Sequence, residues 1–165
     1  MAHEKDLNDL FLDMLKDVYH AEKQILRGLS KMSKSTKTAE VKEAFEKHRD
    51  ETEGHIERLE KVFEIIGKPS RAKPCEAMQG LMEEAKEVMD EFKGAPALDA
   101  GLVATAQAVE HYEIARYGTL KTWAGQLGYK DAVKLLEETL AEEKKTDELL
   151  TQLAESSVNQ EAEAA

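Results

Sequence analysis

The stretch VATAQAVEHYEIARY, residues 103–117, puts Val103, Ala106, Glu110, Glu113 and Tyr117 on one helical face, at steps of 3 and 4. Two carboxylates therefore interrupt an apolar stripe. An ionised acid in that position carries a large desolvation penalty unless it is paired or binds a metal. The same interruption recurs in three other segments. Glu22 falls in the series Val18, Glu22, Ile25, Leu29, and Glu51 in Ala44, His48, Glu51, His55. Glu143 and Asp147 fall in Leu136, Leu140, Glu143, Asp147, Leu150. Acids on the inner face of four separate helices point to a polyvalent cation held between them.

The helices follow from the stripes around those acids. The first runs from Asp6, a plausible N-cap, to Met32 on Leu7, Leu10, Phe11, Met14, Val18, Ile25, Leu29 and Met32. Thr38 can cap a second, whose stripe is Val41, Phe45, Leu59, Val62, Phe63 and Ile66 before Gly67 and Pro69 stop it. A shorter helix carries Met78, Leu81, Met82, Ala85, Val88, Met89 and Phe92. Its methionines read as packing rather than as a cofactor box. Pro96 can occupy the first turn of the next long helix, which runs to Leu127 with Leu98, Leu102, Val109, Tyr117, Leu120 and Ala124 inward. The last spans Asp131–Glu155 on Val133, Leu136, Leu140, Leu150 and Leu153. No segment alternates as a strand does. The pattern predicts an all-α chain: two helical hairpins joined by a helix-containing crossover, the ferritin-like variant of the four-helix bundle. One domain over residues 1–155 is expected, with a polar tail, 156–165, that frays.

Composition narrows the function classes. Lys and Arg number 23 against 34 Asp and Glu, a formal charge of −11 that disfavours nucleic acid or an anionic membrane as partner. No apolar run reaches the roughly 18–20 residues that span a bilayer, and MAHEKDLNDLF lacks the basic and apolar regions of a secretory signal. A single cysteine, Cys75, provides no disulfide framework and suits a reducing cytoplasm.

Level along the bundle decides whether the acids can meet. Counted from the end shared by the first turn, Glu22 lies about 10 residues in, Glu51 about 13, Glu110 about 14 and Glu143 about 12, a slab of roughly 6 Å. Four carboxylates balance two divalent ions, and oxygen and imidazole ligands suit iron or manganese. Bundles of this type take one Glu from each of two helices and a Glu-x-x-His pair from each of the others. Here Glu110-x-x-Glu113, His48-x-x-Glu51 and Glu143 with Asp147 replace that rule, giving a carboxylate-rich site. For each acid the bland alternative is a boundary residue that reaches solvent. His48 reads equally as a ligand or as a neighbour of ligands, His55 rather as a neighbour than a ligand, His111, next to Glu110, as a hydrogen-bonding neighbour, and Glu142 as solvated face. Tyr19, Tyr112 and Tyr117 read as packing with a bonded hydroxyl, and Cys75 as a small buried residue near a helix start.

At DVYHAEKQIL, HRDETEGHIERLEKVF, KPCEAMQGLMEEAKEVM, VEHYEIARYGTL, LGYKDAVKLLEETL and EEKKTDELL the chain resembles the YciE/YciF family, over about residues 6–158. The resemblance implies a bacterial, stress-associated, ferritin-like bundle, commonly dimeric, with a di-metal centre at Glu22, His48, Glu51, Glu110, Glu113, Glu143 and Asp147. Position 55 is as often Gln as His in that family. The function expected is a di-iron or di-manganese protein that reacts with dioxygen or peroxide, an oxidase- or peroxidase-like oxidoreductase if it turns over. In that scheme Glu51 and Glu143 bridge, Glu22, Glu110 and Glu113 are terminal ligands, and His48 and Asp147 complete or orient the shell. The alternatives are a non-catalytic stress or scaffold protein with a vestigial site, and iron storage in a cage.

Overall fold

The computed structural model describes residues 3–164. Asp6 caps the first helix, α1 (Leu7–Ser35), through a reciprocal box: its carboxylate accepts from Asp9 N–H, and the Asp9 carboxylate accepts from Asp6 N–H. There follow α2 (Ala39–Ile65), α3 (Glu76–Glu91), α4 (Leu98–Gln126) and α5 (Lys130–Leu153). No strand occurs among the described residues. The hairpins α1–α2 and α4–α5 pack together through α2 against α5 and α1 against α4, and α3 lies across α1 and α4. This is the ferritin-like four-helix bundle with a crossover helix.

One side chain fixes the relative placement of the hairpins. Thr38 stands at the N-cap of α2 as expected, but its hydroxyl makes no capping bond. Asp99 of α4 serves instead. Its carboxylate accepts from Lys37 N–H at 3.0 and 3.1 Å and from Thr38 N–H at 2.7 Å. The first turn and the start of α4 therefore share one end of the bundle. Burial alone raises the Asp99 pKa, and these donors reverse the shift, holding it below the usual carboxylate range.

Close approach of α3 depends on two glycines. A Cβ on Gly28 would stand 2.4 Å from Met82 Sδ, and one on Gly101 2.7 Å from Val88 Cγ1. The absent side chains let the crossover helix settle onto α1 and α4.

Three expectations need correction. Leu10 and Phe92, assigned to apolar stripes, are exposed, because each lies at the edge of its helix's packed face. Pro96 sits in the turn before α4 rather than in its first turn. The tail does not fray at residue 156. It continues through a wide π turn (Ala154–Val158) into α6 (Asn159–Glu163). The π turn brings Val158 back against α4, where it is buried with Leu150 and Leu102.

The apolar core is split in two. One cluster gathers Ile25, Leu29, Met32, Phe45, Leu102, Val109 and Leu150 toward the first-turn end. The other gathers Phe11, Leu15, Val18, Leu59, Phe63, Tyr117, Leu120 and Leu140 toward the opposite end. Every long helix crosses between them at a polar residue: Glu22 in α1, His48 to His55 in α2, Glu110 and Glu113 in α4, Glu143 in α5.

Candidate metal centre

The layer between the two clusters consists of Glu22, His48, His55, Glu110, Glu113 and Glu143, all buried. Helical phase puts them there. His48 and His55 stand two turns apart on one face of α2, while Glu110 and Glu113 share the inner arc of α4.

The six form two overlapping groups. Glu22, His55, Glu113 and Glu143 can offer one ligand atom each, all within 4.8 Å of one another, and so can His48, Glu110, Glu113 and Glu143. Glu113 and Glu143 belong to both. The two groups thus share two carboxylates, and each has one further carboxylate and one imidazole of its own.

With its carboxyls ionised, the layer satisfies itself only in part. His48 Nε2 lies 2.8 Å from Glu110 Oε1, yet neither atom has hydrogen-bond alignment, so the close approach is directed past the partner. Both oxygens of Glu110, Glu113 and Glu143 lack hydrogen-bond partners, as do Glu22 Oε2, His48 Nδ1 and His55 Nδ1. Most buried polar groups in folded proteins are bonded, so this many orphans in one layer calls for an occupant. The donor set fits a hard or borderline divalent cation: carboxylate and imidazole, with no thiolate.

Other side chains hold the layer in position. Tyr117 Oη donates to Glu22 Oε1, which leaves Oε2 of that carboxylate free. His55 Nδ1 faces Glu143 Oε1 at 2.9 Å and Glu22 Oε1 at 3.4 Å, while its Nε2 bonds Glu142 Oε2 at 2.8 Å. Arg58 clamps Glu142 with two bonds of 2.8 Å and reaches Glu138 and Thr139 as well. The Arg58–Glu142–His55 chain fixes the ring so that Nδ1 points into the layer, an arrangement common around metal-binding histidines. Glu142 thus orients a candidate ligand, a contact that sequence reading missed; it had passed for solvated face.

Charge is distributed unevenly without a metal. Burial alone would push the Glu22 carboxyl up, but His55 outweighs it and the net shift is downward. Burial pulls His55 down, and Glu22 and Glu143 overcome that, pushing its pKa up to about 11. Burial, reinforced by neighbouring carboxylates, raises Glu113 and Glu143 well above the ordinary range. Burial also raises Glu110, to about 7, and lowers His48. The shifts favour a Glu22 carboxylate against a His55 cation and the protonated forms of Glu113 and Glu143.

Two of the seven residues expected at the site lie at its rim. Glu51 is outside both groups, its side chain 25% exposed, and accepts from Thr146 Oγ1 at 3.3 Å. Asp147 is 21% exposed and bonds His111 at 3.1 Å. His55, which sequence left open, lies inside. The tyrosines are all bonded: Tyr19 to Glu60, Tyr112 to Asp17 and Tyr117 to Glu22. Cys75 caps α3 by accepting from Met78 N–H and lies 3.1 Å from Tyr112 Oη.

Comparison with known proteins places this geometry in context. Residues 6–163 match a family described as a domain of unknown function, DUF892. Protein YciF of Escherichia coli is 50% identical over 161 residues, 96% of either chain. The crystal structure of that protein, described as a stress protein, superposes with a TM-score of 0.90 at 48% identity, covering 94% of this chain and 99% of the other. YcfI of Rhodopseudomonas palustris, whose description offers a structural role, gives 0.87 at 43% identity, over 89% and 94%. A protein of Xanthomonas campestris at 20% identity and a TM-score of 0.75 shares the fold. No helix among the described residues is long and apolar enough to cross a membrane.

Proposed function

The chain belongs to the YciE/YciF family, whose domain is DUF892, and from that premise we propose that it is a di-iron or di-manganese protein of the stress response that reacts with dioxygen or peroxide. The observation that supports this reading is the pair of ligand groups sharing Glu113 and Glu143. Glu22 and His55 would hold one ion, His48 and Glu110 the other, and Glu113 and Glu143 would bridge them. Held there, two redox-active divalent ions would each give up one electron, M²⁺ to M³⁺, to a small oxidant.

The chain's own residues supply the rest. Two apolar clusters enclose the layer and keep bulk water from it. Tyr117 restrains Glu22 through one oxygen, and Glu142 restrains His55 through Nε2. His55 Nδ1, Glu113 and Glu143 give up protons when cations take their place. Bridging by Glu113 and Glu143 replaces the earlier expectation of bridging by Glu51 and Glu143, since Glu51 stands outside both groups.

Metal content tests the reading. Protein reconstituted with ferrous or manganous ion under anaerobic conditions and desalted is expected to retain two ions per chain by elemental analysis. Well under one would contradict it. Replacement of Glu142 by Ala removes the acceptor of His55 Nε2 and is expected to weaken metal binding about 10–100-fold. A competition titration against a chelator would show it, and unchanged affinity would contradict the positioning role.

A homodimer is part of the same proposal, and sedimentation separates it from a storage cage. A second reading, a structural protein with an inert polar layer, takes support from the description of the Rhodopseudomonas relative. Under it, added metal would leave the melting temperature unchanged.

A further inference from the structure

A cleft of about 260 Å³ opens between α2 and α5, lined by Lys47, His48 and Glu51 on one side and Thr146, Glu148 and Gln152 on the other. Its floor reaches the metal-ligand layer. Ala44, His48 and Thr146 also line a void of about 10 Å³ that borders Glu110, and a second void of similar size lies beyond it against His48 and Glu110. Each is about the size of one water. His48 and Thr146 thus line both the cleft that opens to solvent and a void against Glu110. The clefts near Lys73 and near Lys93 touch none of the six buried ligand residues.

Exposure falls stepwise along the cleft. The Lys47 side chain is 56% exposed, Glu51 25%, and His48 4%. Glu51 is held loosely, by Thr146 at 3.3 Å and by Lys47 at 3.9 Å. It lies one turn from His48, whose Nδ1 is buried without a partner. A carboxylate so placed can bind a cation that still keeps part of its water shell, then release it inward as imidazole and carboxylate replace the remaining waters.

We propose that the α2–α5 cleft is the port through which divalent cations reach the buried layer, with Glu51 as a transit ligand that passes them to His48 and Glu110. This rests on the di-metal reading above. A transit ligand lowers the barrier between solvent and site without belonging to the final coordination. Its removal must slow uptake and release by one factor and leave affinity unchanged, because forward and reverse passage cross the same barrier. Loss of a resident ligand does the opposite to release, which becomes faster as affinity falls.

The experiment is stopped-flow uptake of Co²⁺, followed by its visible absorption, in the full chain and in Glu51→Gln. Release into excess EDTA is measured on the same samples. Glu51→Gln is expected to slow both by on the order of tenfold, with two ions bound at equilibrium and an unaltered spectrum. Unchanged uptake would overturn the port. Faster release, fewer bound ions or a changed spectrum would overturn the transit role by making Glu51 a resident ligand. Failure of the unsubstituted chain to bind Co²⁺ would instead overturn the di-metal reading, and the port with it.

Discussion

Replacing Glu113 by Leu is expected to stabilise the metal-free protein, or leave its stability unchanged, while abolishing the binding of two ions. Both oxygens of Glu113 are buried without a hydrogen-bond partner, and burial together with three other carboxylates pushes its pKa well above the ordinary range. In the metal-free state the residue therefore carries a desolvation cost, offset only by what its protonated form gives the neighbouring Glu22 carboxylate. Replacing buried ionic groups with well-packed apolar residues of similar volume is often neutral or stabilising. With metal the sign reverses, because Glu113 belongs to both ligand groups and its loss removes a ligand from each ion. Thermal melts with and without metal, paired with elemental analysis, would show a raised melting temperature without metal and fewer than two ions. A destabilised metal-free variant that still bound two ions would contradict both halves.

Metal binding is expected to release protons near neutral pH, from Glu113, Glu143 and His55, and apparent affinity should rise with pH. Glu110, with a pKa near 7, adds a further fractional proton below that value. Calorimetry in buffers of different ionisation enthalpy counts these protons directly. Fewer than one would contradict the assigned protonation states. Stability without metal should move the other way. Glu110, Glu113 and Glu143 have folded-state pKa values above the ordinary value of 4.5. Their contribution is whole below pH 4.5 and is lost as pH rises, through about 7 for Glu110. The contribution of His55 is whole below its ordinary 6.5 and is lost only as pH climbs toward 11. Between pH 4.5 and 7 the metal-free protein should therefore lose stability from its carboxyls while the gain on adding metal grows.

Much of this arrangement was legible in the sequence because a buried carboxylate breaks an apolar stripe. Glu22, Glu110, Glu113 and Glu143 were found that way, and their convergence followed from counting residues along antiparallel helices. The method is coarser around the helix axis. From His48, an ideal helix turns His55 by about 20° and Glu51 by about 60° in the same sense. All three occupy one stripe on paper, yet the two imidazoles face inward and Glu51 faces the α2–α5 cleft. Asp147 stands about 40° from Glu143 and turns toward His111 for the same reason. Glu110 and Glu113 tolerate a comparable spread because α4 is packed by α1, α3 and α5, which widens its buried arc.

Glu142 was invisible for a different reason. Its partners, His55 and Arg58, lie on another helix more than 80 residues earlier, and periodicity carries no information about such a contact. A pairing of acids at 138 and 142, one turn apart, with Arg58 of α2 at the right level was the available signal. The tail deceived in the opposite direction. SSVNQEAEAA is polar enough to suggest fraying, but one buried valine and a π turn keep its described part helical on the bundle, Ala165 lying outside the described residues.

The central claim is that two cations lie side by side, bridged by Glu113 and Glu143. Anomalous diffraction from crystals grown with manganese or iron tests it most directly. The account predicts two peaks per chain, one beside Glu22 and His55 and the other beside His48 and Glu110. A single peak, none, or peaks confined to Glu51 and Asp147 at the rim would contradict it.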